Sequence, residues 1–82
     1  MADVQLRCFA AAREAAGRSS DAFCAASVGE LLQLATERYG IHWKVVLESS
    51  RVWVNGEEPE LGGATRLRAG DEVAVLPPVS GG

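Results

Sequence analysis

The first clear pattern in the chain is a strict alternation of positions over residues 4–9. One alternating set is apolar and the other is mixed: Val4, Leu6 and Cys8 against Gln5, Arg7 and Phe9. A two-residue period is typical of a strand with one buried face. The pattern therefore predicts a first strand that buries the Val4 set and turns the Phe9 set away from the core.

The same alternation returns near the end of the chain, over residues 72–76. Val73 and Val75 are predicted to face the core, on the side of the first strand's buried set, while Leu76 faces away. Pro77 has no backbone N–H to donate, so it ends this last strand.

Helical patterns fill part of the sequence between these two strands. Residues 10–16 contain only Ala, Arg and Glu, which favour helix, and Gly17 can end that helix with a left-handed cap. The longest helix is predicted to begin at Ser27, which forms a capping box with Glu30, and to end at Gly40. Its apolar residues recur at three- and four-residue spacings and form one stripe that covers a sheet: Val28, Leu31, Leu32, Ala35 and Tyr39.

Three further short elements have weaker patterns. Residues 41–48 are compatible with another helix, although adjacent valines disfavour it. Residues 21–26 are predicted to form a strand whose facing is ambiguous. A third strand over residues 51–54 reaches Asn55-Gly56, the dipeptide that best fits a two-residue hairpin turn. We expect the chain to return there as a short fourth strand, which Pro59 would restrict to a sheet edge.

Proline and glycine dominate the last six residues, Pro77-Pro78-Val79-Ser80-Gly81-Gly82. Two prolines favour an extended departure from the last strand. A Gly-Gly end can enter a slot too narrow for other residues, because glycine has no Cβ. We therefore predict a domain over residues 1–77 and a flexible, extended tail over residues 78–82 that delivers the terminal carboxylate of Gly82 to another protein. Gly81 is expected to be needed for passage into that protein.

Composition narrows the possible partners and the compartment. The chain has 82 residues, 48% of them hydrophobic, and a net charge of −3 without a basic stripe, which predicts one globular domain that binds neither nucleic acid nor membrane. No secretory or membrane-spanning segment is recognisable, so we expect a cytoplasmic protein. Cys8 and Cys24 are predicted to be buried thiols, and His42 has no partner at metal-ligand spacing.

Two separated segments resemble the small subunit of molybdopterin synthase. The run from Phe9 to Gly17 matches a FAxxRExxG stretch of that family, and the run from Gly70 to Gly82 resembles its GDEVAxxPPVxGG ending. The resemblance, together with the order of elements, implies a β-grasp or ubiquitin-like α+β fold. In that fold the first and last strands lie parallel at the centre of a mixed sheet, and one main helix packs on one face.

The resemblance also implies a function. In that family the chain is a sulfur carrier and not an enzyme on its own. The C-terminal carboxylate, here that of Gly82, is adenylated by an E1-like enzyme using ATP and Mg, and is converted to a thiocarboxylate. The tail then enters the large subunit, in an expected assembly of two small and two large subunits, and gives sulfur to a pterin precursor of the molybdenum cofactor. No catalytic side chain, metal or stably bound cofactor is expected on this chain.

The large subunit is expected to recognise an apolar surface around the start of the tail. Strand alternation places Phe9, Trp53 and Leu76 on the side of the sheet away from the core. Pro78 and Val79 follow them into the tail. A side helix or loop covering these residues would remove this surface.

Other functions share the same chain ending. Sulfur carriers of thiamine biosynthesis have the fold and the Gly-Gly end but are generally shorter and lack the FAxxRExxG stretch, whereas carriers of cysteine biosynthesis have similar endings. A ubiquitin-like modifier would instead join Gly82 to a lysine of a target protein. The remaining alternative is a binding module with an inert tail.

Overall fold

The computed structural model of the chain describes residues 2–78. Its strands are β1 (Ala2–Cys8), β2 (Ser20–Ala25), β3 (Arg51–Val54) and β4 (Glu72–Leu76). Its helices are α1 (Ala10–Ala16), α2 (Val28–Tyr39) and α3 (Ile41–Glu48), with a short 3-10 helix over Gly62–Ala64. Residues 79–82 lie outside the described part, so the predicted boundary between domain and tail stays a prediction.

The four strands form one mixed sheet in the order β2-β1-β4-β3. β1 and β4 are parallel neighbours at its centre, and β2 and β3 are antiparallel to them at the two edges. This arrangement confirms the predicted mixed sheet with the first and last strands side by side.

One face of the sheet is buried under the helices. The inward-facing residues of β1 and β4 are Val4, Leu6, Cys8, Val73 and Val75, all of which are buried. Each helix adds at least one buried side chain to the same core: Ala12 from α1, Leu31 from α2 and Trp43 from α3. The opposite face, which we call the outer face, therefore points away from all three helices.

The ends of the helices follow the sequence signals. The Ser27 hydroxyl accepts a hydrogen bond from the Glu30 N–H at 3.2 Å, as predicted for the cap of α2. The Glu30 carboxylate, however, accepts from the Ala26 N–H at 2.7 Å, one residue earlier than in a capping box. Gly17 ends α1 with φ +77°, and its N–H donates to the Arg13 carbonyl.

Two predictions from the sequence need correction. The turn at Asn55-Gly56 has positive φ at both residues, and Val54 and Glu57 exchange two backbone hydrogen bonds across it. The segment directly after the turn forms only this one bridge and not the short return strand that the sequence predicted. Pro59 follows too closely for a ladder to grow. Cys24 is exposed, and only Cys8 is buried as predicted. The reason is register: Phe23 pairs with Val4 on the inner face, so Cys24 faces outward.

The outer edge of β2 is closed by side chains of the protein itself. The Asp21 carboxylate accepts a hydrogen bond from the Ala22 N–H at 2.9 Å, and Arg38 donates to the Ala22 carbonyl at 3.2 Å. Tyr39 and Arg38 also donate to Asp21, at 2.6 and 2.9 Å. Partial burial acts to raise the pKa of Asp21, but these hydrogen bonds outweigh it and hold that pKa below its usual value.

Candidate functional site

The candidate site is the place where the chain leaves the sheet after β4. Phe9 follows the last residue of β1 directly, and its N–H donates to the Val75 carbonyl at 3.3 Å. Since β1 and β4 are parallel, Phe9 lies level with Leu76, the last residue of β4. The chain therefore leaves β4 at the centre of the sheet, between the neighbouring strands β1 and β3.

The predicted contact residues share the outer face around this point. Trp53 pairs with Ala74, and the neighbouring pair joins Arg51 to Leu76, so Trp53 and Leu76 are diagonal neighbours within reach of an aromatic side chain. Phe9 is 40% exposed, and Trp53 and Leu76 are half-buried. We call Phe9, Trp53 and Leu76 the root patch. The helices lie on the other side of the sheet, so they do not cover it.

Two ion pairs border the root patch on the outer face. Arg7 lies 3.6 Å from Glu72 and over the Phe9 ring at 5.9 Å from its centroid. Arg51 lies 3.6 Å from Glu58. Both pairs are largely exposed, so they add little to stability, but they surround the apolar residues with charge. An apolar centre with a polar rim is the usual anatomy of a protein interface.

Backbone geometry is unusual where β1 turns into α1. Ala10 has φ +50°, a left-handed value that is uncommon for a residue with a side chain. The chain turns sharply there, directly after Phe9, and continues into α1. Pro78 is exposed just beyond β4, whereas Val79, Gly81 and Gly82 lie outside the described residues, so their predicted roles stay predictions.

The described residues were also considered as possible metal ligands and nucleophiles. No group of three or more His, Cys, Asp or Glu side chains within residues 2–78 is placed to hold a metal ion. His42 is exposed on α3. Burial raises the pKa of the Cys8 thiol, which makes it a weaker nucleophile. Across the described part of the chain, no helix is long and apolar enough to cross a bilayer.

A family model decides to which group of proteins the chain belongs. The model described as the ThiS family matches residues 6–82, which is almost the whole chain. The chain belongs to the ThiS family. This match confirms the family resemblance seen in the two sequence segments, and it includes the Gly-Gly end.

Other proteins similar to this ThiS-family chain have more specific names. The "Molybdopterin synthase sulfur carrier subunit" of Anopheles gambiae is 36% identical over 86 residues, which cover 96% of this chain and 91% of that protein. Among solved structures, small archaeal modifier protein 1 of Methanosarcina acetivorans has a TM-score of 0.88 at 32% identity, covering 100% of this chain and 98% of that one. A chain of the Helicobacter pylori complex between subunits 1 and 2 of molybdopterin-converting factor has a TM-score of 0.74 at 25% identity. The match covers 98% of this chain and 99% of that one.

These likenesses confirm the predicted β-grasp, ubiquitin-like fold. The structural match extends over the whole chain, so it includes the central parallel pair and the position of the last strand. The segment that carries the Gly-Gly end follows β4 directly, beside the root patch.

Proposed function

We propose that this chain is the sulfur carrier subunit of a molybdopterin synthase. The observation that carries the proposal is the 36% identity to a molybdopterin synthase sulfur carrier subunit over nearly the full length of both chains. The central position of β4 supports it, because the Gly-Gly end then leaves the domain from a rigid base beside the root patch. The chain itself contributes no catalytic side chain to this role.

Gly82 would carry the sulfur through its terminal carbonyl carbon. A carboxylate is a poor acyl donor, so a carboxylate oxygen first attacks the α-phosphorus of ATP, and pyrophosphate leaves. Sulfur at the oxidation level of hydrosulfide, supplied by the sulfur donor, then attacks the carbonyl carbon of the acyl-adenylate, and AMP leaves with the electron pair while the sulfur loses its proton. The resulting thiocarboxylate is a much better nucleophile at neutral pH than the carboxylate, and it can pass its sulfur to a pterin precursor. ATP and Mg belong to the activating enzyme, and this chain holds no cofactor of its own.

Two protein partners follow from this chemistry. The first is the large subunit, which accepts the tail in an assembly of two small and two large subunits; the Helicobacter pylori structure of two subunits in complex supports such a partner. The second is an E1-like enzyme that adenylates Gly82 and delivers sulfur. We propose that the reaction takes place in the cytoplasm, where ATP and the activating enzyme would both be available.

Intact mass tests the chemistry directly. We expect incubation with a cognate activating enzyme, ATP, Mg and a sulfur donor to increase the mass of the chain by the difference between one sulfur and one oxygen. Fragmentation should locate the change at Gly82. If the mass is unchanged under conditions that thiolate a known carrier, the proposal is wrong.

Substitutions in the root patch are expected to weaken binding to the large subunit. Leu76→Glu places a charge in the apolar centre, and Trp53→Ala removes an aromatic anchor, so each should weaken binding to the large subunit by at least about tenfold, as truncations at interface hot spots do. Isothermal titration calorimetry with the large subunit measures the change.

The matched control for these variants lies on the helical side. Ile41 on α3 is 72% exposed, so Ile41→Glu makes a similar apolar-to-acidic change away from the root patch and should bind like the parent. Circular dichroism must show all three variants folded. Parent-like affinity of both root-patch variants would mean that recognition depends on the tail and on charges alone.

A second candidate function is a ubiquitin-like protein modifier. The likeness to small archaeal modifier protein 1, at 32% identity over the whole chain, favours it. The same activation of Gly82 would then lead to an isopeptide bond with a lysine of a target protein. Lysine-linked conjugates of a tagged chain in cells, without a thiocarboxylate on Gly82, would favour this function over sulfur transfer.

A further inference from the structure

One residue with a side chain adopts a left-handed backbone that its local sequence does not explain. Ala10 has φ +50°, and the one other non-glycine residue with positive φ among the described residues is Asn55. Asn55 lies in the hairpin turn before Gly56, where asparagine is a favoured residue. Alanine is not favoured in this region, because its Cβ comes close to the following carbonyl oxygen. Strain of this kind persists only where the surrounding structure holds it, and it is concentrated at functional sites.

Hydrogen bonds to Phe9 hold the chain on both sides of this turn. Toward β1 and β4, the Phe9 N–H donates to the Val75 carbonyl at 3.3 Å. Toward α1, the Phe9 carbonyl accepts from the Ala12 and Arg13 N–H groups, at 3.0 and 3.3 Å. Phe9 is the single residue between β1 and α1, and its own backbone is extended, with φ −122° and ψ 153°. The change of direction therefore falls on Ala10.

The turn joins the root patch to the core in very few residues. Phe9 continues the extended backbone of β1, so its side chain stays on the outer face with that of Arg7. Two residues after Ala10, the side chain of Ala12 is fully buried in the core, on the inner side of the sheet. The left-handed residue thus lies between an exposed aromatic side chain and the first core residue of α1.

The Phe9 ring itself has a contact on the outer face, but a weak one. The Arg7 guanidinium lies over the ring at 5.9 Å from its centroid and also 3.6 Å from the Glu72 carboxylate. A cation at this distance is near the outer limit of a cation–π interaction. It is too weak to hold a phenylalanine that is 40% exposed. The backbone at Ala10 is therefore the main restraint on the direction of Phe9.

We propose that Ala10 is a positioning residue of the root patch, whose left-handed backbone fixes Phe9 in the orientation that the large subunit binds. Alanine can occupy only a small left-handed region, whereas glycine has a broad range of positive φ. Alanine at this position therefore lowers stability but restricts Phe9 before any partner arrives. A side chain that is already ordered loses less conformational entropy on binding, which increases affinity. This inference rests on the proposed function, which makes the root patch the surface for the large subunit.

Opposite changes in stability and in affinity are the expected signature of this role. Ala10→Gly removes the close approach of the Cβ to the backbone, so the melting temperature of the full chain should rise by a few degrees. The same variant frees Phe9, so affinity for the large subunit should fall by about two- to tenfold, the usual cost of ordering one side chain on binding. A residue that matters only for the fold would change both quantities in the same direction. Thermal melting and isothermal titration calorimetry measure them.

Ala11→Gly is the matched control, because it makes the same chemical change one residue later. Ala11 is exposed and has the ordinary backbone of α1, so glycine there should lower the melting temperature and leave the affinity unchanged. A double-mutant cycle with Phe9→Ala tests whether Ala10 acts through Phe9. In the Phe9→Ala background, Ala10→Gly should no longer change the affinity. Circular dichroism confirms that each variant is folded.

Nuclear magnetic resonance of the free chain adds a measurement that needs no partner. Three-bond couplings report the χ1 angle of Phe9, and they should indicate one dominant rotamer in the parent and averaging over several rotamers in Ala10→Gly. A parent that is already averaged, or a variant that keeps the single rotamer, would show that Ala10 does not order Phe9, and the proposal would be wrong.

The binding data decide the remaining outcomes. The proposal is also wrong if Ala10→Gly binds the large subunit like the parent, or if it lowers the melting temperature as Ala11→Gly does. An affinity loss that persists in the Phe9→Ala background would mean that Ala10 acts by another route, which contradicts the proposal as well. A parent chain that does not bind the large subunit would contradict the proposed function instead, whereas the couplings would still decide whether Ala10 orders Phe9.

Discussion

Adding one alanine after Gly82 is expected to abolish thiocarboxylation while leaving the thermal stability of the protein unchanged. The added residue moves the terminal carboxylate past the position at which the activating enzyme presents ATP, and it replaces a glycine at the end with a residue that has a Cβ. The core residues of the described domain all precede residue 76, so the change does not affect their packing. Thiocarboxylate formation is measured by intact mass, and stability by thermal melting.

Gly81→Ala is the graded version of the same experiment. It keeps the length of the chain and adds one methyl group where we predict the narrowest passage, so it should slow sulfur loading or transfer strongly without changing the melting temperature. If the chain with the added alanine, or the Gly81→Ala variant, kept full sulfur loading and transfer, the partner would not enclose the last two residues. A fall in melting temperature would show that these residues contribute to the fold.

Trp43→Ala is expected to reduce the free energy of unfolding by about 3–5 kcal/mol, the usual cost of truncating a large buried aromatic residue. Trp43 is the largest fully buried side chain of the described residues and lies against the Tyr39 ring at 5.4 Å between centroids. Domains of this size are typically stable by only about 5–15 kcal/mol, so the variant should be largely unfolded in mild denaturant. Urea titration followed by circular dichroism measures the loss.

Trp43→Phe and Trp53→Ala are the controls for this prediction. The Trp43 indole N–H has no hydrogen-bond partner of ordinary geometry among the described residues, and its only polar neighbour is the Cys8 thiol, so replacing the indole by a phenyl ring forfeits packing volume and at most a weak contact with sulfur. Trp53 is half-exposed on the outer face, and its truncation should cost much less than that of Trp43. Equal losses for Trp43→Ala and Trp53→Ala would contradict the assignment of Trp43 to the centre of the core.

The sequence was most informative where local chemistry and periodicity agree. The alternation around Val4 and Val73 predicted both the two central strands and their buried faces, because a one-residue slip would expose every core residue. The cap at Ser27 and the stop at Gly40 predicted the limits of α2, since both act through the backbone of the residues beside them. The outward facing of Leu76 followed from the same alternation.

Features that depend on distant parts of the chain were not predictable in this way. The exposure of Cys24 is set by the pairing of Phe23 with Val4, and two adjacent apolar residues do not reveal which one pairs inward. The hairpin dipeptide at Asn55 predicted the turn but not that the returning segment would stop after one bridge. Nothing in the sequence predicted the left-handed backbone of Ala10, because alanine normally favours a right-handed helix. The close placement of Trp53 and Leu76 required the register of β3.

The hydrogen bonds at the edge of β2 bear on whether the protein aggregates at high concentration. An edge strand with unpaired backbone groups can recruit the same strand of another molecule, and successive additions lead to fibrous aggregates. In this protein the Ala22 N–H and carbonyl are already bonded to Asp21 and Arg38, so an incoming strand would have to displace both side chains before it could pair. Arg38 is additionally held over the Phe23 ring at 4.0 Å from its centroid, which makes that displacement more costly. Addition of a strand at this point of the β2 edge therefore requires the loss of contacts that the folded domain already makes.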